Sequence, residues 1–303
     1  MRYSVSLRRR VGDGDFVERV RDWEQRGIGG LWVADHLDFV DPFVPLAAAA
    51  SVTTSMQLGT LVINHDFWHP ALLARAVGTL EQLAPGRCTL GIGAGHAEVE
   101  YTALGVVYER PSIRIDRMGD LVDVTCRLLA GETVTHESKW FALDGCALGK
   151  GGPNGPVPLL IGGNGDRVLT FAAARAAVVG FTGFTSGTGR RHTELSHFSW
   201  RGLADRMAFV RDHAAGRAMS SNLLVQCVAV TGDPVSFFEQ WSRGGSIAID
   251  DLLDCPFALV GSCSFINEQL ARIASVGVDD LTVFEDSVPA LLDVLDALDH
   301  AGG

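Results

Sequence analysis

The chain has 303 residues, 47% of them hydrophobic, enough apolar material for one large core. Its formal net charge of -11 argues against nucleic acid, which needs clustered cations; the only dense basic run is Arg8-Arg9-Arg10, read as solvating a loop. No apolar stretch approaches the length of a membrane span and the N-terminus lacks the order of a signal peptide, so a cytoplasmic protein is expected.

In chain order, short apolar runs alternate with helical patterns. Strands are expected at Tyr3 to Leu7, Gly30 to Val33, Gln57 to Ile63, Cys88 to Ile92, Pro158 to Ile161, Val178 to Phe181, Leu223 to Val230 and Asp280 to Phe284. Helices fit between them: Asp15 to Gln25 follows an Asp-Gly-Asp capping region, Ala71 to Leu83 has Pro70 at its start, and Ile113 to Leu129 carries apolar residues at helical spacing. Eight strands joined by helices predict an α/β fold, a TIM (β/α)8 barrel, as one domain over residues 1–303. An open doubly wound sheet competes, but its phosphate loop would follow the first strand, where this chain has Arg8-Arg-Arg. Three segments read as insertions: 133–149 as a hairpin, 182–199 as a long polar loop and 242–255 as a connection. The six cysteines show no CxxC or Cys/His pairing at metal spacing and the nine histidines no HxH or HxxxH cluster, so neither disulfides nor a metal site is expected.

In a barrel, chemistry belongs at the carboxyl ends of the strands. The second strand ends in Ala34-Asp35-His36, the third in Asn64-His65-Asp66, the fourth in Gly93-Ala-Gly-His96 and the fifth in Gly162-Gly-Asn-Gly165. The run Gly91-Ile-Gly-Ala-Gly95 removes Cβ atoms where a flat or charged group could approach, yet misses the dinucleotide fingerprint, which needs a glycine where His96 stands. Gly162 to Gly165 lead into a helix from Asp166 to Ala176, whose free N–H groups suit a phosphate or carboxylate; a tight turn capped by Asp166 is the plainer alternative. His36 is the candidate general acid/base, because imidazole titrates near neutrality, with a histidine bonded to backbone as the alternative. His65 and His96 are weaker candidates for the substrate pocket, and His136 reads as structural. Glu98 and Glu100 are expected to brace the following helix. Arg110, Arg114 and Arg117 share one helix face that could reach phosphate or carboxylate groups of a ligand, with a solvated face the plainer reading.

Trp32-Val-Ala-Asp-His36, Leu58-Gly-Thr-Leu-Val62, His69-Pro70, Leu83-Ala-Pro-Gly-Arg87, Gly91-Ile-Gly-Ala-Gly95 and Pro158-Leu-Leu-Ile-Gly-Gly163, in this order, resemble the luciferase-like monooxygenase superfamily. The chain is most similar to its branch of oxidoreductases using the deazaflavin coenzyme F420, from Met1 to about Phe284. The resemblance implies a TIM barrel with the deazaflavin in the mouth and its phosphate tail along the loops after strands four and five. It implies a bulge at Leu61-Val62 behind the ring, often through a non-proline cis bond. Asp35, Asn64 and the Gly93-Ala94-Gly95 backbone would contact ring or ribityl groups, while Gly162, Gly163 and Asn164 would approach the phosphate. His36 matches the histidine that sugar-phosphate and alcohol dehydrogenases of this branch use for proton transfer. Two features depart from that pattern. The cations that hold a sugar phosphate are not evident in a chain with two lysines, and the second acid of the glycine loop is missing, with Ala94 or Gly95 in its place. The reading is an F420-dependent oxidoreductase of a small organic substrate, favouring reduction, as a homodimer without nucleic-acid or membrane partners. An FMN-dependent monooxygenase is the first alternative and a non-catalytic flavin-binding protein the second.

Overall fold

Strands whose side chains are buried on both faces read as continuous apolar runs, and the runs of this chain assemble that way. The computed structural model describes residues 1–8, 11, 15–183, 185–186, 193–194, 198–241 and 248–301. Eight parallel strands form a closed barrel: Arg2–Leu7, Gly30–Val33, Gln57–Thr60, Cys88–Gly93, Leu159–Gly162, Val178–Phe181, Ser220–Val225 and Asp280–Phe284. Each pairs with its neighbour in sequence, the first pairs with the eighth (Val5 with Val283), and the third closes on the fourth (Leu58 with Cys88). The expected TIM barrel is therefore the observed fold.

Helices Phe16–Gln25, Phe43–Ala50, Pro70–Leu83, Pro111–Leu129, Asp166–Arg175, Trp200–His213, Cys263–Ser275 and Val288–Ala301 surround the barrel. Strand residues facing them, such as Val5, Leu31, Val33, Leu58, Leu223 and Val283, form the main core, and all are fully buried. Residues of opposite parity face inward, where Trp32, Leu61 and Leu160 make a second apolar cluster. Gly59 is needed by two neighbours: a Cβ there would run into the Thr89 carbonyl oxygen and stand 2.6 Å from the Trp32 indole.

Two expected strands are each divided. The run Gln57 to Ile63 stops at Thr60, passes through a cis peptide between Leu61 and Val62, and resumes as Ile63–Asn64 beside the fourth strand. The run Leu223 to Val230 breaks at Gln226, whose N–H donates to Phe257 O at 2.7 Å; beyond it Cys227–Val230 leaves the barrel to pair with Ala258–Gly261. Unbroken hydrophobicity does not distinguish one long strand from two short ones in different sheets.

The 133–149 segment is the expected hairpin, Val134–Glu137 against Ala142–Cys146, docked on helix Pro111–Leu129. His136 Nε2 lies 2.8 Å from Asp120, and Ser138 Oγ donates to the same carboxylate at 2.6 Å. In 182–199, Thr185–Ser186 pairs with Thr193–Glu194, and most other positions lie outside the described residues. Within 242–255, residues 242–247 lie outside them too, and Ile249–Leu253 is a short helix. Arg9 and Arg10 also lie outside; Arg8 stacks on Phe284, 3.0 Å from its centroid, rather than only solvating a loop. No helix among the described residues is long and apolar enough to cross a membrane. The described cysteines are all free, and burial pushes the Cys88 and Cys227 thiols up to about 12, as suits small hydrophobes.

At the amino end of the barrel, Glu24 gathers the backbone N–H groups of Thr54, Ser55 and Met56 at 3.0, 2.7 and 2.8 Å, just before the third strand. Burial alone would raise this carboxyl, but the bonds from Ser55, Met56 and Thr54 outweigh it and hold the group below its ordinary value. A depressed pKa in the folded state means that the contribution is present above the ordinary value of 4.5 and is lost as pH falls through the folded value. Glu24→Gln should lower the melting temperature at pH 7 by about 2–4 °C, for roughly 1 kcal/mol of solvent-facing charge-assisted bonding. Thermal melts at pH 7 and pH 3 check this, with the gap between variant and wild type narrowing at pH 3.

Candidate active site

The carboxyl ends of the second to fifth strands meet at one mouth. The second strand delivers Asp35 and His36 into it. Asp35 acts as a clip on the interrupted third strand: its N–H donates to Val62 O at 3.3 Å, and its Oδ2 accepts from Asn64 N at 3.1 Å and from Trp68 Nε1 at 2.8 Å. Burial raises the Asp35 carboxyl, against the opposing pull of the Trp68 and Asn64 bonds.

His36 Nδ1 lies 2.7 Å from Glu100 Oε1. Its side chain is 25% exposed and that of Glu100 only 10%, so the carboxylate is shielded while the ring still reaches the mouth. The ring also meets Phe39 and His96 edge-on, with centroids 5.0 and 5.2 Å away. Glu100 was expected to brace its helix; instead the helix Glu98–Leu104 turns Glu98 to solvent and Glu100 to His36. Residues two apart on a helix lie about 200° apart, so Glu98 and Glu100 face opposite ways. A carboxylate thus reaches the candidate base from beyond the glycine loop, although none stands within it.

The glycine loop is built around its neighbours. A Cβ on Gly93 would stand 2.6 Å from Val62 Cγ2, and one on Gly162 3.1 Å from Val62 Cγ1, so the Val62 side chain fills the space that both lack. Gly95, at φ +71°, would drive a Cβ into the Tyr101 hydroxyl. These glycines were expected to admit a ligand; their Cβ positions face the protein's own side chains instead, so what they offer a ligand is backbone.

Under the loop, Tyr101 is fully buried and its hydroxyl lies 2.8 Å from Asp66 Oδ2 and 3.0 Å from Asn64 Oδ1. Asp66 also faces Arg117 Nη1 at 3.1 Å and His65 Nε2 at 3.2 Å. Burial would raise Asp66, but His65, Tyr101 and Arg117 together hold it below the usual carboxylate range; Tyr101 is raised by burial and by Asp66. His65, expected at the substrate pocket, has no exposed surface and puts its Nδ1 3.1 Å from Gly93 O, so it braces the loop from below. His96 is exposed, although the protein crowded around its ring, then the adjacent His36, lower its pKa.

Arg114 departs furthest from the expected solvated face. It is 4% exposed and donates to Ala94 O at 3.0 Å, Gly95 O at 3.4 Å and Glu109 O, while stacking on Tyr108 at 4.1 Å. It thereby fixes the backbone of Ala94 and Gly95.

The fifth strand ends in Gly162, Gly163 and the buried Asn164, whose Nδ2 donates to Thr182 Oγ1 at 3.0 Å. The following helix, Asp166–Arg175, starts at Gly165 with no side chain capping it. Asp166 pairs with Arg206 rather than capping, and Arg206 also reaches Asn164 O at 3.5 Å. Arg206, on helix Trp200–His213, brings a cation to this loop from 40 residues away, and nothing in its local sequence marks it.

A closed parallel barrel with polar strand ends gathered at its carboxyl mouth defines a (β/α)8 scaffold of the enzyme type. The model of the luciferase-like monooxygenase family matches residues 8–199, and the chain belongs to that family. It is 33% identical over 150 residues to a 5,10-methylenetetrahydromethanopterin reductase of Archaeoglobus fulgidus, covering 50% of this chain and 43% of that protein. It is 34% identical over 158 residues to an F420-dependent glucose-6-phosphate dehydrogenase of Kineococcus radiotolerans, covering 49% and 46%. These matches span less than half the length of either relative. In structure it resembles an F420-dependent secondary alcohol dehydrogenase in complex with an F420-acetone adduct, at TM-score 0.77 and 18% identity over 97% of this chain and 98% of the other.

The packing of Gly95 on Tyr101 makes a direct test. Gly95→Ala should destabilise the protein by about 2–4 kcal/mol in urea unfolding, from the clash and the positive φ together. Adding Tyr101→Phe should recover part of that loss. Independent, additive effects of the two changes would contradict the contact.

Proposed function

We propose that the protein is an oxidoreductase dependent on coenzyme F420, acting on a small organic substrate with His36 as general acid/base. The observation that carries this reading is the His36 to Glu100 contact at the barrel mouth, beside the interrupted third strand. Relatives and structural neighbours named for F420 support the choice of coenzyme.

The residues present fit a flat ring with an anionic tail. Leu61 and Val62 offer an apolar back wall, Asp35 and Asn64 a polar edge, and the backbone of Gly93, Ala94 and Gly95 a side held by Arg114. Gly162, Gly163 and Asn164, with the uncapped helix start at Gly165 and the nearby Arg206, suit a phosphate. When bound, the deazaflavin supplies hydride transfer at its C5.

The chain's own part in the reaction is the proton. With Nδ1–H donating to Glu100, the imidazole keeps Nε2 as the atom that gives or takes a proton, and the carboxylate holds the ring's orientation. His96, of lowered pKa, stands beside it as a neutral wall of the substrate pocket. Phosphorylated sugars are not proposed as substrates, since Lys139 stacks on Trp140 and Lys150 lies in the 149–151 turn, both away from the mouth. Reduction is the favoured direction, in a cytoplasmic homodimer of single-domain chains.

Purified protein should bind the deazaflavin at micromolar concentration with quenching of tryptophan fluorescence; binding FMN instead would sink this reading. His36→Ala should slow turnover roughly a hundredfold to ten-thousandfold while leaving coenzyme affinity intact, measured by steady-state kinetics and titration. The second reading, an FMN-dependent monooxygenase, draws on the family's monooxygenase members. Oxygen consumption coupled to product formation separates the two.

A further inference from the structure

Helix Pro111–Leu129, the segment before it and the hairpin enclose a pocket of about 220 Å³ that includes Val107, Glu109, Ile113, Arg117 and Trp140 in its walls, with Asp66 at its base. None of Asp35, His36, Asn64, His96 or Asn164 lines it. We propose that this pocket is a second ligand site, for a small monocarboxylate with an apolar body.

The geometry of Arg117 selects the charge. Its Nη1 is taken by Asp66 at 3.1 Å, while its Nε is buried with no hydrogen-bond partner among the described residues. The guanidinium donor left to the pocket is therefore Nη2, which can take one oxygen of a carboxylate in a charge-assisted bond. Arg114 does not compete, since its donors are spent on the carbonyls of Ala94, Gly95 and Glu109.

The walls select the rest of the ligand. Val107 is 71% exposed and stands with Ile113 and Trp140 beside the cation, an apolar surface that water alone would leave poorly covered. Lys139 Nζ lies 4.1 Å from the Trp140 ring centroid and adds positive potential at the rim. Arg114, Arg117 and the rim Lys139 stand against Asp66 and Glu109, a net charge of about +1, so a dianion such as phosphate would leave one negative charge unbalanced. A single carboxylate balances the charges, and its apolar part finds the walls.

The site is tested on the full chain by calorimetric titration with benzoate, using benzamide as the neutral isostere and inorganic phosphate as the dianion. Benzoate should bind with one-to-one stoichiometry, and benzamide and phosphate at least about tenfold more weakly, the loss of one charge-assisted hydrogen bond or of charge balance. Arg117→Met should weaken benzoate by about tenfold or more, whereas Glu109→Gln, at a surface position, should strengthen it by about threefold. Absence of benzoate binding, equal binding of benzamide, or affinity unchanged by Glu109→Gln would each overturn the proposal. The last outcome decides the matter even if Arg117→Met fails to fold. Saturation of these effects without any coenzyme present keeps the result separate from the proposed F420 chemistry.

Discussion

The mouth of this barrel depends on the interruption of its third strand. Between Thr60 and Ile63 the chain leaves the sheet, and Asp35 holds it there by bonding Val62 O on one side and Asn64 N on the other. That displacement puts the Val62 side chain where Cβ atoms of residues 93 and 162 would stand. Glycine at both positions, and with it the close approach of the fourth- and fifth-strand loops, follows from the volume of one isopropyl group.

Charge is placed around this frame with little exposure to water. Arg114 is buried among carbonyl oxygens, and Asp66 is held by Tyr101, His65 and Arg117. Buried charges of this kind persist only when their hydrogen bonds are met, and meeting them ties together strand ends that are distant in sequence. His36 and Glu100, 64 residues apart, are brought into contact by the same assembly, since Tyr101 anchors the helix that carries Glu100.

Much of the fold was legible from the sequence. Strands Gly30–Val33, Val178–Phe181 and Asp280–Phe284 carry the expected boundaries, because a short apolar run between turns has few other ways to be buried. The breaks at Leu61 and Gln226 were not legible, since apolar character runs through both while the partners that interrupt them, Asp35 and Phe257, lie elsewhere in the chain. The candidate site divided similarly. Asp35, His36 and Asn64 stood out as polar residues at strand ends, whereas Glu100, Arg114 and Arg206 sit on helices where a charged residue ordinarily faces water.

By itself the sequence determined the alternation of strands and helices, the polar strand ends and the net acidic charge, because these follow from local period and composition. Only the tertiary structure decided that the glycine loops close on Val62 and Tyr101, that His65 lies beneath the mouth, and that Glu100 meets His36. Those are packing and hydrogen-bonding outcomes between segments tens of residues apart, and no local pattern encodes which buried group will find which partner.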